Sequence, residues 1–246
     1  VQDVRKTLTP QLQTDQGPTV LLHVDLSAGQ HRTGGSALAQ VLGPLGAAPA
    51  DLDAPARLVG LWTALHALRD QGRVLAWHDV SDGGVFVTAC EMAFAGHCGV
   101  ALTLPLSEDA PEDAVLAALF AEEPGGVLQV RADDLPAALA VFAAHGLRDC
   151  VRVLGIPTDD DQISVLTLEV ERFSAPRTQL WRTWSQTTFR MQALRDDPDC
   201  AQEAFDALLD AGDPGLSPSL SFDPADDVAA PFVSTGARPR VAILRE

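Results

Sequence analysis

Positively charged residues are scarce in this sequence. The 246 residues contain 17 Lys and Arg against 34 Asp and Glu, which gives a net charge of −17 at pH 7. Lys6 is the single lysine, so arginine supplies almost all of the positive charge. Proteins that bind nucleic acids need a basic face for the phosphate backbone. The composition therefore argues against a nucleic-acid partner, and an anionic ligand would need a local basic pocket or a metal ion.

Long apolar runs and the common catalytic signatures are also missing. No run of 18 apolar residues occurs, so we expect no membrane span, and the polar N-terminus carries no signal-peptide core. There is no P-loop, no GxGxxG and no GxSxG. Ser81 lies near His78, but their spacing provides neither an orienting acid nor an oxyanion hole. We therefore assign no catalytic residue.

Cysteine is sparse and dispersed. No two cysteines form a CxxC pair, and no histidine stands at zinc-finger spacing from them. This pattern is typical of reduced, mostly buried thiols and favours a cytoplasmic protein. The four residues are Cys90, Cys98, Cys150 and Cys200.

The most informative stretch covers residues 75–84, LAWHDVSDGG. A short apolar strand ending at Trp77 is followed by hydrogen-bonding side chains, two glycines and an apolar helix candidate over residues 85–96. The free N–H groups of such a turn can meet an anion, and neighbouring carboxylates can hold a divalent cation that neutralises phosphate. A plain turn with capping side chains explains the same residues. Residues 33–42 repeat the pattern of glycines before a helix, and the same two interpretations apply there.

Strands and helices alternate along the first two-thirds of the chain. This order predicts an α/β or α+β sandwich over residues 19–172, in which strand 127–130, a helix capped by Asp133 and strand 151–154 form a βαβ unit. Further predicted strands are 19–26, 99–104 and 163–170, and predicted helices are 37–42, 54–71, 111–121 and 134–145. In helix 54–71 the expected inward face consists of Leu58, Leu61, Trp62, Leu65 and Leu68.

The last third differs in character. A long helix to Leu194, whose tryptophans suggest a docking face, and a shorter acidic helix over residues 200–211 precede a proline-rich linker over residues 212–240. Residues 240–246 resemble the start of a strand. Because the sequence begins without Met and stops within this apolar pattern, we expect it to be a piece of a longer chain.

Several segments, in the same order along nearly the whole chain, resemble the large single-chain phosphoribosylformylglycinamidine synthases. The resemblance implies that residues 1–172 form the second C-terminal domain of the aminoimidazole-ribotide-synthetase type. Residues 173–238 would be a helical and extended connector, and residues 239–246 the first strand of a glutaminase domain. The similar segments are residues 33–41, 75–84, 91–99, 122–127, 184–188, 213–216, 230–232 and 235–246.

The resemblance also implies an activity. Such enzymes use ATP and glutamine to convert formylglycinamide ribonucleotide to the amidine in purine synthesis. The family's magnesium ligand and nucleotide-binding serine match Asp79 and Ser81, at a site with Mg²⁺ and ATP or ADP. The glutaminase triad and most nucleotide contacts would lie in the other synthetase and glutaminase domains, so we expect this piece to be inactive alone. The alternatives are the C-terminal domain of another ATP enzyme of the superfamily and an interaction module without a ligand.

Overall fold

The computed structural model describes residues 7–213, 215, 218–233, 235–236 and 240–242. Contacts between residues divide the chain into two units, Val1–Ala211 and Gly212–Glu246. The first unit contains the sheet and the helices packed on it. Within the described part of the second unit, irregular segments and turns surround one short helix, Ala230–Val233. Residues 240–242 are not in a strand, and residues 239 and 243–246 of the predicted final strand lie outside the described residues.

A seven-stranded mixed sheet forms the centre of the first unit. The strand order is β2-β4-β1-β5-β3-β6-β7, and every neighbouring pair is antiparallel except β3 with β6. This confirms the predicted sandwich as an α+β fold with a mixed sheet. The strands are β1 (Thr19–Asp25), β2 (Ala76–Asp79), β3 (Gly99–Leu104), β4 (Gly125–Arg131), β5 (Val151–Thr158), β6 (Gln162–Thr167) and β7 (Val170–Pro176).

Helices cover both faces of the sheet. On one face, α3 and α4 pack over a core that includes Leu21 and Val127; on the other, α2 and α5 pack over Leu22 and Leu128. Adjacent residues of a strand point to opposite faces, so the central strands β1 and β4 are apolar on both. The helices of this unit are α1 (Ala37–Leu42), α2 (Pro55–Asp70), α3 (Gly84–Gly96), α4 (Glu112–Phe120), α5 (Leu135–Ala144), α6 (Arg177–Arg195) and α7 (Pro198–Ala207).

The predicted βαβ unit occurs in a split form. β4 and β5 both pair antiparallel with β1, which lies between them, so they are parallel to each other but not adjacent. α5 makes the connection and packs on β4. The sequence indicated the two strands and the helix, but the insertion of β1 depends on a pairing across more than 100 residues.

Some local predictions were wrong. Strand β7 was not predicted, because its residues are mostly exposed and lack an alternating apolar pattern. The side chain of Asp133 does not cap α5, since residues Ala132–Asp134 form a 3₁₀ turn before the helix. On α2, Leu58 and Trp62 are exposed. The predicted Leu61, Leu65 and Leu68 are buried, and Gly60 and Ala64 complete the buried face of α2.

The long helix α6 docks on α3, as its tryptophans suggested. Trp181 stacks on Phe94 with the ring centroids 6.0 Å apart. At its N-terminus, the buried Arg177 forms an ion pair with Asp161 at 2.7 Å, and the Thr178 hydroxyl donates to the same carboxylate. A buried guanidinium requires such a partner. This anchor ties α6 to the turn between β5 and β6.

Three of the four cysteines are buried, as predicted, and Cys200 is exposed; all four are free thiols. Burial raises the pKa of the Cys90 thiol to about 12 and that of Cys98 to about 11. Thiols in this state are weak nucleophiles at neutral pH. Among the described residues, no helix combines the length and apolar character needed to cross a membrane.

Gly84, in the turn between β2 and α3, lies close to the backbone at the end of α4. Its φ is +67°, and an added Cβ would lie 2.6 Å from the Leu119 carbonyl oxygen. This oxygen belongs to the backbone at the end of α4 and, unlike a side-chain atom, cannot rotate away. The glycine therefore serves two purposes, a left-handed conformation and a close backbone approach.

We expect Gly84→Ala to destabilise the fold by about 2 kcal/mol or more beyond the cost of Gly72→Ala. Gly72 has nearly the same φ, +66°, but nothing within 4 Å of its added Cβ, so the pair separates backbone strain from steric overlap. Urea unfolding of both variants measures the difference. Equal losses of unfolding free energy would show that overlap at Gly84 is relieved without cost.

A buried polar cluster lies in the middle of the sheet. His23 on β1 is buried, and its Nδ1 lies 2.9 Å from Nη2 of Arg152 on β5. Burial, together with the Arg152 charge, lowers the pKa of His23 to about 3. Although burial opposes it, hydrogen bonds from Ser27 and Gly29 keep the pKa of Asp25 below its usual value. The sheet interior thus holds a neutral histidine next to an ionised acid.

This histidine makes stability depend on pH. Because the pKa of His23 is lower in the folded chain than the ordinary value near 6.5, the unfolded chain binds the extra proton, and stability falls as the pH drops below about 6.5. Between about pH 7 and pH 5 we expect His23→Gln to lose about 2 kcal/mol less than the parent chain. Urea unfolding at both pH values measures this, with the exposed His145→Gln as control. Parallel pH profiles for parent and His23→Gln would contradict the assignment.

Candidate functional site

Three connections meet at one end of the strands, on the same border of the sheet. β1 ends at Asp25, β2 ends at Asp79, and β4 begins at Gly125. The strand register places Asp25 opposite Gly125 and Asp79 opposite Gly126. The loops after β1 and β2 and the segment before β4 therefore lie side by side. Both predicted units of glycines before a helix, residues 33–36 and 81–84, belong to these loops.

Asp79 and Ser81 lie together on the surface of this edge. Asp79 is the last residue of β2, and its side chain is 76% exposed. Ser81 is exposed two residues later. The nearest ionisable partner of the Asp79 carboxylate is His78, whose Nδ1 is 3.4 Å from Oδ1. Both side chains are thus accessible to a ligand. They lie in the predicted strand–turn–helix arrangement, but β2 extends two residues beyond Trp77, where the strand was predicted to end.

Hydrogen bonds from neighbouring segments fix the backbone of the turn. The Val80 N–H donates to the Gly125 carbonyl at 3.1 Å, and the Gly84 N–H donates to the Ser81 carbonyl at 3.0 Å. The buried Thr88 hydroxyl lies 3.0 Å from the Gly84 carbonyl and 3.4 Å from the Asp79 carbonyl. These contacts fix the main chain and leave the side chains of Asp79 and Ser81 free for other partners.

Glu122 joins the two glycine turns. Its Oε1 accepts hydrogen bonds from the N–H of Gly83 and from the N–H of Ala37, each at 2.8 Å. These N–H groups stand at the starts of α3 and α1, where the helix dipole favours a negative charge. The sequence left open whether the N–H groups of the 81–84 turn meet an anion or belong to a plain turn. For Gly83 the N–H is already occupied, because the chain supplies its own carboxylate.

The neighbouring Glu123 is buried and paired. Arg32 donates to it from its backbone N–H at 2.9 Å, from Nε at 2.8 Å and from Nη2 at 2.7 Å. Hydrogen bonds from Arg32 to Glu123 and Asp53 raise the pKa of its guanidinium. The Arg32 guanidinium is thus already paired with carboxylates of the protein itself.

The chain provides an incomplete set of metal ligands. Within the described residues, no three His, Cys, Asp or Glu side chains stand together in a way that could hold a metal ion. An exposed carboxylate such as Asp79 suits Mg²⁺, which retains water and takes one or two protein carboxylates together with phosphate oxygens. Of the residues at this turn, the exposed Asp79 carboxylate could supply one magnesium ligand and the Ser81 hydroxyl one hydrogen-bonding contact.

Glu122 and Glu123 had no assigned role in the sequence-based site. The signal was present, since two adjacent acids precede a Gly-Gly pair at a strand start. Acids at such a position are well placed to accept N–H groups from neighbouring loops. Their partners, however, are 39, 85 and 91 residues away, and local patterns carry no information on such contacts.

Several solved structures align with this chain. T. maritima PurL complexed with ATP aligns with a TM-score of 0.55 and 14% sequence identity, over 72% of this chain and 27% of that chain. T. maritima PurL complexed with FGAR aligns with a TM-score of 0.55 and 16% identity, over 72% of this chain and 30% of that chain. E. coli HypE, a hydrogenase maturation protein, aligns with a TM-score of 0.47 and 22% identity, over 68% and 51%.

At these identities the PurL alignments establish the fold. The chain spans less than one-third of the length of the PurL structures that it matches. The family itself follows from the sequence profile of residues 20–167, which covers all strands from β1 to β6 and the candidate turn. The chain belongs to the family described as AIR synthase related protein, C-terminal domain.

Proposed function

We propose that this chain is part of an ATP-dependent carbon–nitrogen ligase of the phosphoribosylformylglycinamidine synthase type. In this proposal Asp79 binds Mg²⁺ and Ser81 contacts the nucleotide, ATP or ADP. The observation that carries it is the pair of exposed side chains on a turn whose backbone is held by Gly125, Thr88 and Glu122. Family membership and a fold shared with a protein that was solved with ATP support it.

The chemistry of the two side chains suits these roles. A carboxylate oxygen is the hard ligand that Mg²⁺ prefers, and the ion neutralises the phosphate oxygens. A hydroxyl donates to a phosphate oxygen without adding charge. In the ligase, phosphoryl transfer from ATP to the amide oxygen creates a leaving group, which ammonia from glutamine then displaces as phosphate. Asp79 and Ser81 would hold a nucleotide and take no part in either bond change.

The incomplete ligand set gives this chain a partial role. The remaining synthetase and glutaminase domains would supply the other ligands and the ammonia, with residues 1–172 as the synthetase-type domain, 173–238 as the connector and 239–246 as the start of the glutaminase domain. A cytoplasmic location accords with purine synthesis and with free thiols. The isolated chain would then bind metal–nucleotide weakly and show no ligase activity.

Paramagnetic Mn²⁺ is a sensitive probe of such weak binding. We expect Mn²⁺ with ADP to broaden the amide resonances of residues 79–84 preferentially in the parent chain. Asp79→Asn keeps the shape but removes the charge, and we expect it to lower the affinity by about 10-fold. Asp82→Asn, in the same exposed turn, is the matched control. Preferential broadening that is absent in the parent, or that is unchanged in Asp79→Asn, would refute the metal site.

The Ser81→Ala variant tests nucleotide binding separately from metal binding. Because the hydroxyl is assigned to phosphate, the variant should bind Mn²⁺–ADP about 2- to 10-fold more weakly, the range expected for one hydrogen bond. Binding of Mn²⁺ without nucleotide should stay as in the parent, which makes the metal titration an internal control. An equal loss in both titrations would show that Ser81 supports the turn and does not contact the nucleotide.

A further inference from the structure

A row of polar contacts connects Asp79 to the long helix α6. Nδ1 of His78 lies 3.4 Å from the Asp79 carboxylate, and Nε2 of the same ring lies 2.9 Å from Oε2 of Glu91. The other carboxylate oxygen of Glu91 accepts the indole N–H of Trp184 at 2.9 Å. Each group in the row uses a different atom for each neighbour, so the four side chains contact one another in series.

The contact between His78 and Asp79 depends on where the strand ends. Successive side chains of a regular strand point to opposite faces and do not meet. β2 ends at Asp79, so its side chain can approach the ring of the preceding residue. An exposed aspartate without such a contact populates several χ1 rotamers. The His78 ring therefore restricts a carboxylate that is otherwise open to solvent.

Glu91 holds the ring from the opposite side. The His78 side chain is 19% exposed and that of Glu91 27%, against 76% for Asp79, so the ring and Glu91 are partly buried beside a carboxylate that is open to solvent. Trp184 and the stack of Trp181 on Phe94 fix α6 against α3 at this point. The same side chains line an open cleft of about 470 Å³.

We infer that His78 is a positioning residue that orients Asp79 for the metal, with Glu91 and Trp184 fixing the His78 ring. This inference rests on the proposed function for its metal and on the contact geometry for its mechanism. The ring does not touch the metal in this arrangement; it limits the orientations of the ligand before binding. Removing a residue that orients a metal ligand lowers the metal affinity by about 10- to 100-fold.

The first measurement needs no ligand. Three-bond couplings that report χ1 of Asp79 should show one dominant rotamer in the parent chain and averaging in His78→Asn and in Glu91→Ala. His145→Asn, at an exposed site on the other face of the sheet, should leave them unchanged. Trp184→Phe removes the indole N–H but keeps His78, and it should give an intermediate result. Averaged couplings already in the parent, or unchanged couplings in His78→Asn, would overturn the inference.

The second measurement involves the metal. His78→Asn should bind Mn²⁺ about 10-fold more weakly than the parent while the broadening stays centred on residues 79–84. Parent-like affinity in this variant would overturn the positioning role and leave the proposed function intact. Absence of broadening at residues 79–84 in the parent would overturn the proposed function, and with it the metal at the Asp79 carboxylate. The χ1 couplings would still test whether His78 restricts the Asp79 side chain.

Circular dichroism and thermal unfolding identify a variant that is misfolded. Should His78→Asn unfold, Trp184→Phe carries the test, because Trp184 is exposed on α6 and its substitution retains an aromatic ring on that helix. Reduced Mn²⁺ affinity together with averaged Asp79 couplings in Trp184→Phe would support the series of contacts. Parent-like values of both would contradict it, since the loosened Glu91 would then have no effect on Asp79.

Discussion

One carboxylate oxygen holds the candidate site together. Oε1 of Glu122 accepts two N–H groups that lie 39 and 85 residues away in the chain. Without it, two helix starts at a crowded sheet edge would each carry an unsatisfied donor, at about 1–3 kcal/mol apiece. Because Glu122 already occupies the Gly83 N–H, the turn presents carboxylates to its surroundings. Carboxylates at a surface favour a cation, and a bound cation can neutralise phosphate oxygens.

The sheet explains why these parts meet. β1 pairs with β4 and β5, β4 pairs also with β2, and the ends of these strands coincide at one edge. The three connections thereby become neighbours. The same pairing buries His23 beside the partly buried Arg152 in the sheet, so β1 contributes both to the interior and to the accessible end of the strands. Rigid support below and open side chains above are the usual requirements of a binding site.

Much of the first unit could be predicted from local pattern. Strand β1 and helix α3 follow from apolar periodicity and from the glycines at their ends, and the exposed position of Asp79 follows from the turn after β2. Contacts that depend on distant residues could not be predicted. The Glu122 clamp, the ion pair of Asp161 with Arg177 and the insertion of β1 between β4 and β5 all arise from tertiary pairing. β7 was missed since its stability comes from pairing with β6 and not from an apolar face.

The central claim is that the Asp79 carboxylate is a magnesium ligand. Anomalous diffraction from crystals grown with Mn²⁺ and ADP tests it most directly, because the manganese peak locates the metal without an assumption about the ligands. The account predicts a peak about 2.0–2.2 Å from an Asp79 carboxylate oxygen, the distance typical of a hard divalent ion of this size. A manganese peak bound to other side chains, with Asp79 left in solvent, would contradict it.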